Sequence, residues 1–308
     1  MKTKYALFTN DVETTSIWLN ALRDDTGWKV YREGMPILLD IYESFGVKST
    51  FYFTGYIARM IPDVVKMIQG RGHEVASHGL YHDKKYGFDI MPFQQQKDHL
   101  AESKKILEDI SGDEVISFRA PALRVNEHTV SALLETGYLI DSSVASQRFD
   151  LFMSFGGLKK LNWLTAPRLP YHADSKNIFR KGDSKLIEIP LSATLFPYLG
   201  TTMRIFPGLT NIQKHFLARE AAMCYKPIVF DIHPNEFIDE SYLERIVSRR
   251  SKNFMAYFFQ DYLRANLKTK NLGPSARLIY ENQISFFEKK NFRFVTVKDY
   301  SIEQGLLE

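Results

Sequence analysis

Short apolar runs alternate with helix-like segments along nearly the whole chain, and no other feature constrains the fold as strongly. Lys4–Thr9 (KYALFT) is the first strand-like run and ends in polar Asn10 and Asp11. Gly34-Met35-Pro36 opens a helix with proline in its first turn, and Gly46 stops it. Lys48–Thr54 (KSTFYFT) is rich in β-branched and aromatic residues and reads as a strand. A helix from Pro62 precedes a third strand at His73–Ser77. The rhythm then repeats. A helix over 92–110 leads to strand VISFRAP (115–121), and a helix over 127–136 leads to strand YLIDSS (138–143). Strand KLIEIPLS (185–192), a helix from about Asn211 and strand PIVFDIHP (227–234) follow. A helix over 276–289 and a final strand, FRFVTVKDY (292–300), complete the chain.

Strands alternating with helices imply an α/β fold built on a parallel sheet. Seven or eight right-handed βα units can close into a barrel. The expected architecture is an irregular (β/α) barrel with about seven parallel strands, in a single domain spanning 1–308. Two stretches interrupt the pattern, about 146–183 and 237–273. Both follow strand ends, so both are expected to lie over the C-terminal mouth.

In such a barrel the C-terminal strand ends converge on the active site. Here they carry ionisable groups: Asp11 and Glu13, His78 and His82, Arg119, Asp141, and Asp231 with His233. Packing alone gives no reason for that recurrence. His78 and His82, in SHGLYHD, are two of only eight histidines and are spaced to reach one ion. The spacing by itself also suits a capping or solvent-exposed pair. Asp11 and Glu13 flank Val12 and would share one face of a strand. Two imidazoles and one carboxylate leave coordination positions open, as a catalytic metal requires. The second carboxylate can then take a proton, although Asp11 equally suits a simple cap.

Composition narrows the function classes. The chain of 308 residues is 44% hydrophobic and 25% charged, with a net charge of +4. The positive excess sits in 241–273, which holds seven Lys/Arg against two acids. The remainder is near neutral, so no nucleic-acid surface is expected. In 241–273 the basic residues interleave with Phe254, Tyr257, Phe258, Phe259 and Tyr262. That stretch reads either as an amphipathic helix packed on the barrel or as a surface for phosphates or a membrane periphery. The single cysteine, Cys224, excludes an internal disulfide and reads as a small buried thiol. The N-terminal sequence lacks the apolar region of a signal peptide, and no run is long enough to span a bilayer. A cytoplasmic location, with or without peripheral membrane contact, is the default. Oligomeric state is not encoded legibly.

The ordered set TNDVE (9–13), SHGLYHD (77–83), FRAP (118–121), IDSS (140–143) and FDIHP (230–234) resembles the motifs of NodB-homology polysaccharide deacetylases, carbohydrate esterase family four. The short DVE form, with DSS and EIP later, is similar to a D-x-E branch acting on polysaccharide precursors or lipid-linked sugars. The resemblance implies metal-dependent removal of an N-acyl group, usually acetyl, from an amino-sugar glycan. It implies a divalent metal, Zn²⁺ or similar, on His78 and His82. By the same resemblance Arg119 orients the catalytic base and His233 is the general acid. Pro121 and Asp141 fall where substrate contacts are expected. Two registers of TNDVE remain open. In one, Asp11 is the base and Glu13 the metal ligand; in the other, Asn10 occupies the base position and Asp11 binds the metal. The fourth motif ordinarily ends in an acidic residue before tryptophan; here Asp141 lacks that tryptophan, so the partner of His233 is open. Other readings of the same residues are a hydrolase of formamides or cyclic amides, and a non-catalytic carbohydrate-binding relative.

Overall fold

A computed structural model describes residues 2–148, 162–245 and 262–307. Seven parallel strands form its centre: β1 (Lys4–Val12), β2 (Thr50–Phe53), β3 (Glu74–Ser77), β4 (Ser117–Phe118), β5 (Ile140–Asp141), β6 (Ile187–Glu188) and β7 (Ile228–Ile232). Their order is β7-β1-β2-β3-β4-β5-β6, with every neighbouring pair parallel. The two edges meet through Ser192, just past β6. Its backbone N–H donates to the Val229 carbonyl at 3.0 Å, and its Oγ accepts from Val229 N at 3.0 Å. The irregular barrel expected from the alternation is therefore present.

β1 shows how strand periodicity assigns the chemistry. Successive side chains face opposite sides. Phe8 points outward and packs on Tyr280 and Phe287 of helix Pro274–Glu288, with ring centroids 5.7 and 6.2 Å away. Asn10 also faces outward, where its Nδ2 donates to Ser49 Oγ and its Oδ1 accepts from Tyr42, each at 2.7 Å. Thr9 and Asp11 face inward and meet Arg119. Hydrophobic contacts on the outer face hold the helix layer to the barrel, and toward the C-terminal end the inner face carries the polar Thr9 and Asp11.

Several boundaries differ from the expected ones. β1 runs to Val12, so Asp11 lies within the strand. The helix expected from Gly34 is the continuation of Asp24–Lys29 through a five-residue π-turn over Val30–Gly34. The run FRFVTVKDY is a strand only over Phe292–Phe294. Thr296 then accepts from Asp299 N and caps a helix over Val297–Glu303, a start signal inside an apolar run. Part of the first insertion extends the sheet instead of lying over the mouth. Its strands Tyr171–Asp174 and Asn177–Lys181 form a hairpin that pairs antiparallel with β6. The aromatics Phe254, Tyr257, Phe258 and Phe259 of the second insertion lie outside the described residues. Cys224 is exposed, correcting the buried-thiol expectation, because it ends the helix Pro207–Cys224 before β7 begins. Among the described residues no helix is long and apolar enough to cross a membrane.

Candidate active site

The loop after β3 brings His78 and His82 together without a helix. Gly79 takes φ +71°, a left-handed turn that glycine enters without a Cβ penalty. Ser103 Oγ, on helix Phe93–Ser111, donates to the Gly79 carbonyl at 2.9 Å and pins that turn. The imidazoles then stack 5.5 Å apart at an interplanar angle of 23°. Glu13, just past β1, places Oε2 3.0 Å from His82 Nδ1, although Oε2 has no properly angled hydrogen bond.

The tautomer of His78 follows from its surroundings. Its Nδ1 lies 2.8 Å from the Arg119 carbonyl, which can only accept, so Nδ1 carries the hydrogen. Burial, reinforced by neighbouring His82 and Arg119, lowers its pKa to about 4 despite Asp11 and Glu13. At neutral pH the ring is uncharged, and Nε2 presents a lone pair that is buried with no hydrogen-bond partner. A ring nitrogen anchored to a carbonyl with its opposite nitrogen free is the arrangement of a metal-ligating histidine. Ligand atoms of Glu13, His78 and His82 all lie within 4.8 Å of one another. The donor set therefore fits a divalent ion such as Zn²⁺.

A second cluster, Asp11, Asp231 and His233, has the same compactness but a different chemistry. Its cation is already supplied. Arg119 is fully buried, and its Nη1 lies 3.0 Å from Asp11 Oδ1 and 2.8 Å from Asp231 Oδ1. Thr9 Oγ1 accepts from the same nitrogen at 2.9 Å, while Nε donates to the Ser142 carbonyl and Nη2 to Ser142 Oγ, both at 3.0 Å. The guanidinium also lies over the Tyr52 ring, 4.3 Å from its centroid.

These contacts set the protonation states. Burial alone would raise Asp11; His78, Arg119 and His233 instead bring it down to about 2. Since His78 is neutral at pH 7, the permanent charge of Arg119 is the dependable cause. Burial and the Asp11 charge push Asp231 up to about 7. His233 behaves in the opposite sense to His78. Burial disfavours its charge, but Asp231, Glu236, Asp11 and Glu13 together raise it to about 10. At neutral pH Asp11 is thus an anion and His233 a cation, with His78 Nε2 and His233 Nε2 lying 3.6 and 4.0 Å from the same Asp11 oxygen.

These residues open onto a cavity of about 320 Å³, within the range of small-ligand sites. Asp11, Glu13, His82, Asp231 and His233 form its polar end; Phe196, Leu199, Ile205 and Phe206 form an apolar wall. Leu267 and Lys268 of the second insertion reach the rim. The structure brings together Asp11, Glu13, His78, His82, Arg119 and His233. The pleat turns Asn10 away from the cavity toward Ser49 and Tyr42, whereas Asp11 and Glu13 both line it. Pro121 and Asp141, expected at substrate contacts, are not among the residues that line this cavity. Asp141 is buried against Ser143, whose Oγ and backbone N–H donate to it at 2.7 and 3.1 Å. It also faces Glu188, and burial raises both carboxyl pKa values, that of Glu188 well above the ordinary range. The partner of His233 is instead Glu236, three residues on, whose Oε1 lies 3.2 Å from Nδ1. Sequence reasoning passed over Glu236 because no motif marks it; the short turn Pro234–Phe237 that aims it back was the only available signal.

Residues 19–140 match the family model described as polysaccharide deacetylase, a span that includes His78, His82 and Arg119. A peptidoglycan deacetylase-like protein of Gibberella zeae is 30% identical over 152 residues, 46% of this chain and 44% of that protein. The peptidoglycan deacetylase of Helicobacter pylori is 26% identical over 161 residues, 51% of this chain and 52% of that protein. The chain thus spans about half the length of the curated relatives it matches. The crystal structure of a candidate polysaccharide deacetylase from Mycobacterium smegmatis shares the fold, with a TM-score of 0.66 at 18% identity over 98% of this chain and 91% of that one. Over 19–140 this chain is thus similar to the polysaccharide deacetylase family, and its barrel is the fold of the Mycobacterium smegmatis protein.

Proposed function

We propose that this protein is a metal-dependent hydrolase that removes an N-acyl group, N-acetyl above all, from an amino sugar in a polysaccharide or lipid-linked glycan. The observation that carries the reading is Asp11, ionised by Arg119 and set between His78 Nε2 and His233 Nε2. Amide hydrolysis needs an activated water, a polarised carbonyl and a protonated leaving nitrogen. A divalent ion on Glu13, His78 and His82 would supply carbonyl polarisation and a more acidic water. Asp11 accepts the proton of the attacking water as general base. Arg119 keeps Asp11 ionised and aimed, the charge-assisted role that suits a buried guanidinium. His233, protonated at neutral pH, delivers a proton to the departing nitrogen. Asp231, sharing Arg119, holds the charge of His233 in place. The polar end of the cavity suits a sugar amide, and the relatives' peptidoglycan deacetylase names support a glycan substrate.

The test is acetate release by the purified, Zn²⁺-supplemented chain from N-acetylglucosamine oligomers, beside N-formyl and cyclic-amide compounds. Asp11→Asn and His233→Ala are each expected to lower kcat about 100-fold or more. Asp11→Asn should retain stoichiometric metal, whereas His78→Gln should not. A chain that cleaves none of these amides, or variants as active as the wild type, would refute the proposal.

A further inference from the structure

We infer that Glu236 is a positioning residue for His233, and that Arg204 and the returning end of the second insertion fix Glu236 in place. The inference rests on the acid role proposed for His233. One oxygen of Glu236, Oε1, meets both the ring Nδ1 of His233 at 3.2 Å and its backbone N–H at 3.3 Å. A single oxygen that grips the main chain and the ring of one residue fixes both the backbone and the side-chain rotation. The ring is then turned so that Nε2 faces Asp11 Oδ2, 4.0 Å away. Without that grip, a half-turn of the imidazole would exchange its two nitrogens.

The other oxygen of Glu236 pairs with Arg204 Nε, and both side chains are buried to within about 1%. A buried ion pair is weak evidence for stability, since desolvation offsets much of its attraction. This pair has a further geometric consequence. Arg204 Nη1 donates to the Lys268 and Lys270 carbonyls at 2.7 and 2.8 Å. Asn271 Nδ2 donates back to the Arg204 carbonyl at 2.6 Å, and Gly273 N to the Glu236 carbonyl at 3.0 Å. Residues 268–273, the end of the second insertion, are therefore bonded to Glu236 and its partner at four points. Gly200 makes room for the carboxylate, because a Cβ there would fall 2.4 Å from Glu236 Oε1. Besides Glu236, His233 is faced by Asp231, Asp11 and Glu13, so removal of Glu236 lowers its proton affinity without abolishing it.

The test compares the full chain with Glu236→Gln and with the double variant Arg204→Met/Glu236→Ala, which leaves no orphaned charge. Imidazole ¹⁵N NMR, assigned with His233→Asn, reads the titration midpoint and tautomer of His233 and needs no turnover. Both variants are expected to lower the midpoint by about one unit or more. Only the double variant should also lose the Nδ1–H preference of the neutral ring. With the N-acetylglucosamine pentamer, the double variant should lose kcat about 100-fold with KM within about twofold, and Gln should recover most of it below its own shifted alkaline limb. An unchanged midpoint and tautomer in either variant, with wild-type melting behaviour, would overturn the inference and leave the hydrolase proposal standing. The expected NMR changes in a chain that hydrolyses no N-acyl sugar would instead refute the hydrolase proposal alone.

Discussion

Arg119 is the residue on which the chemistry of this site depends, because it converts two inward carboxylates of unlike pKa into a working pair. Removing one partner of a buried charge network costs about 3–5 kcal/mol, since the remaining charges stay buried and unpaired. Arg119→Met is therefore expected to destabilise the fold by that amount near pH 8. The pH dependence has a definite sign. Asp11 is depressed to about 2, so its contribution is present above its unfolded pKa of about 3.9 and is lost as pH falls toward 2. Asp231 is raised to about 7, so it opposes folding increasingly as pH rises from about 4 through 7. Loss of Arg119 removes the first contribution, which is already complete at pH 5, and enlarges the second penalty, which grows as pH rises from about 4 toward 8. Urea melts at pH 5 and pH 8 should show a clearly smaller deficit at pH 5; equal deficits would contradict this account. The residues of this network were legible in the sequence as far as Asp11, Arg119 and Asp231 sit at or near the C-terminal ends of their strands. Arg204 and Glu236 were not legible, because they lie 32 positions apart and only folding makes them partners.

At the scale of elements, the alternation of patterns predicted the seven barrel strands, and what it missed were places where local signals compete. A five-residue π-turn continues one helix across Val30–Gly34, and no periodicity announces it. The capping threonine at 296 turns an apolar run into a helix start. The first of these bears on the site, since Gly34 packs directly on Pro234, next to His233. A Cβ at Gly34 would lie 2.2 Å from the Pro234 carbonyl oxygen. Gly34 has ordinary helical dihedrals, φ −65° and ψ −42°, so alanine would gain about 1 kcal/mol in helix propensity. The clash is with backbone, which cannot rotate away, and overpacking of this kind costs about 1–3 kcal/mol. Gly34→Ala is therefore expected to lower the melting temperature despite the better helix former. It should also lower kcat more than it raises KM, because the displaced segment is Pro234–Phe237. A melting temperature at or above wild type would show that the turn yields freely.

At the scale of the whole molecule, the barrel explains why distant motifs converge but does not by itself supply the ion that the polar mouth invites. Glu13, His78 and His82 come from the ends of two strands, β1 and β3, with only β2 between them. An ion bound by all three would cross-link those ends in the folded state alone. Its effect on stability then follows from mass action. A ligand at about 1,000 times its Kd adds about 4 kcal/mol to the folded state. For a domain of this size each kcal/mol shifts the melting temperature by about 2–4 °C, so saturating Zn²⁺ should raise it by on the order of 10 °C over the EDTA-treated chain. The same comparison on the double variant His78→Gln/His82→Gln should give coincident melting curves. Asp11→Asn, which leaves all three ligands in place, should retain most of the shift. That contrast separates the two registers of TNDVE physically. If Asp11→Asn abolished the shift and Glu13→Gln preserved it, Asp11 would be the ligand and the base would have to be sought elsewhere. If the wild type itself showed no shift, the orphaned Nε2 of His78 would require another partner.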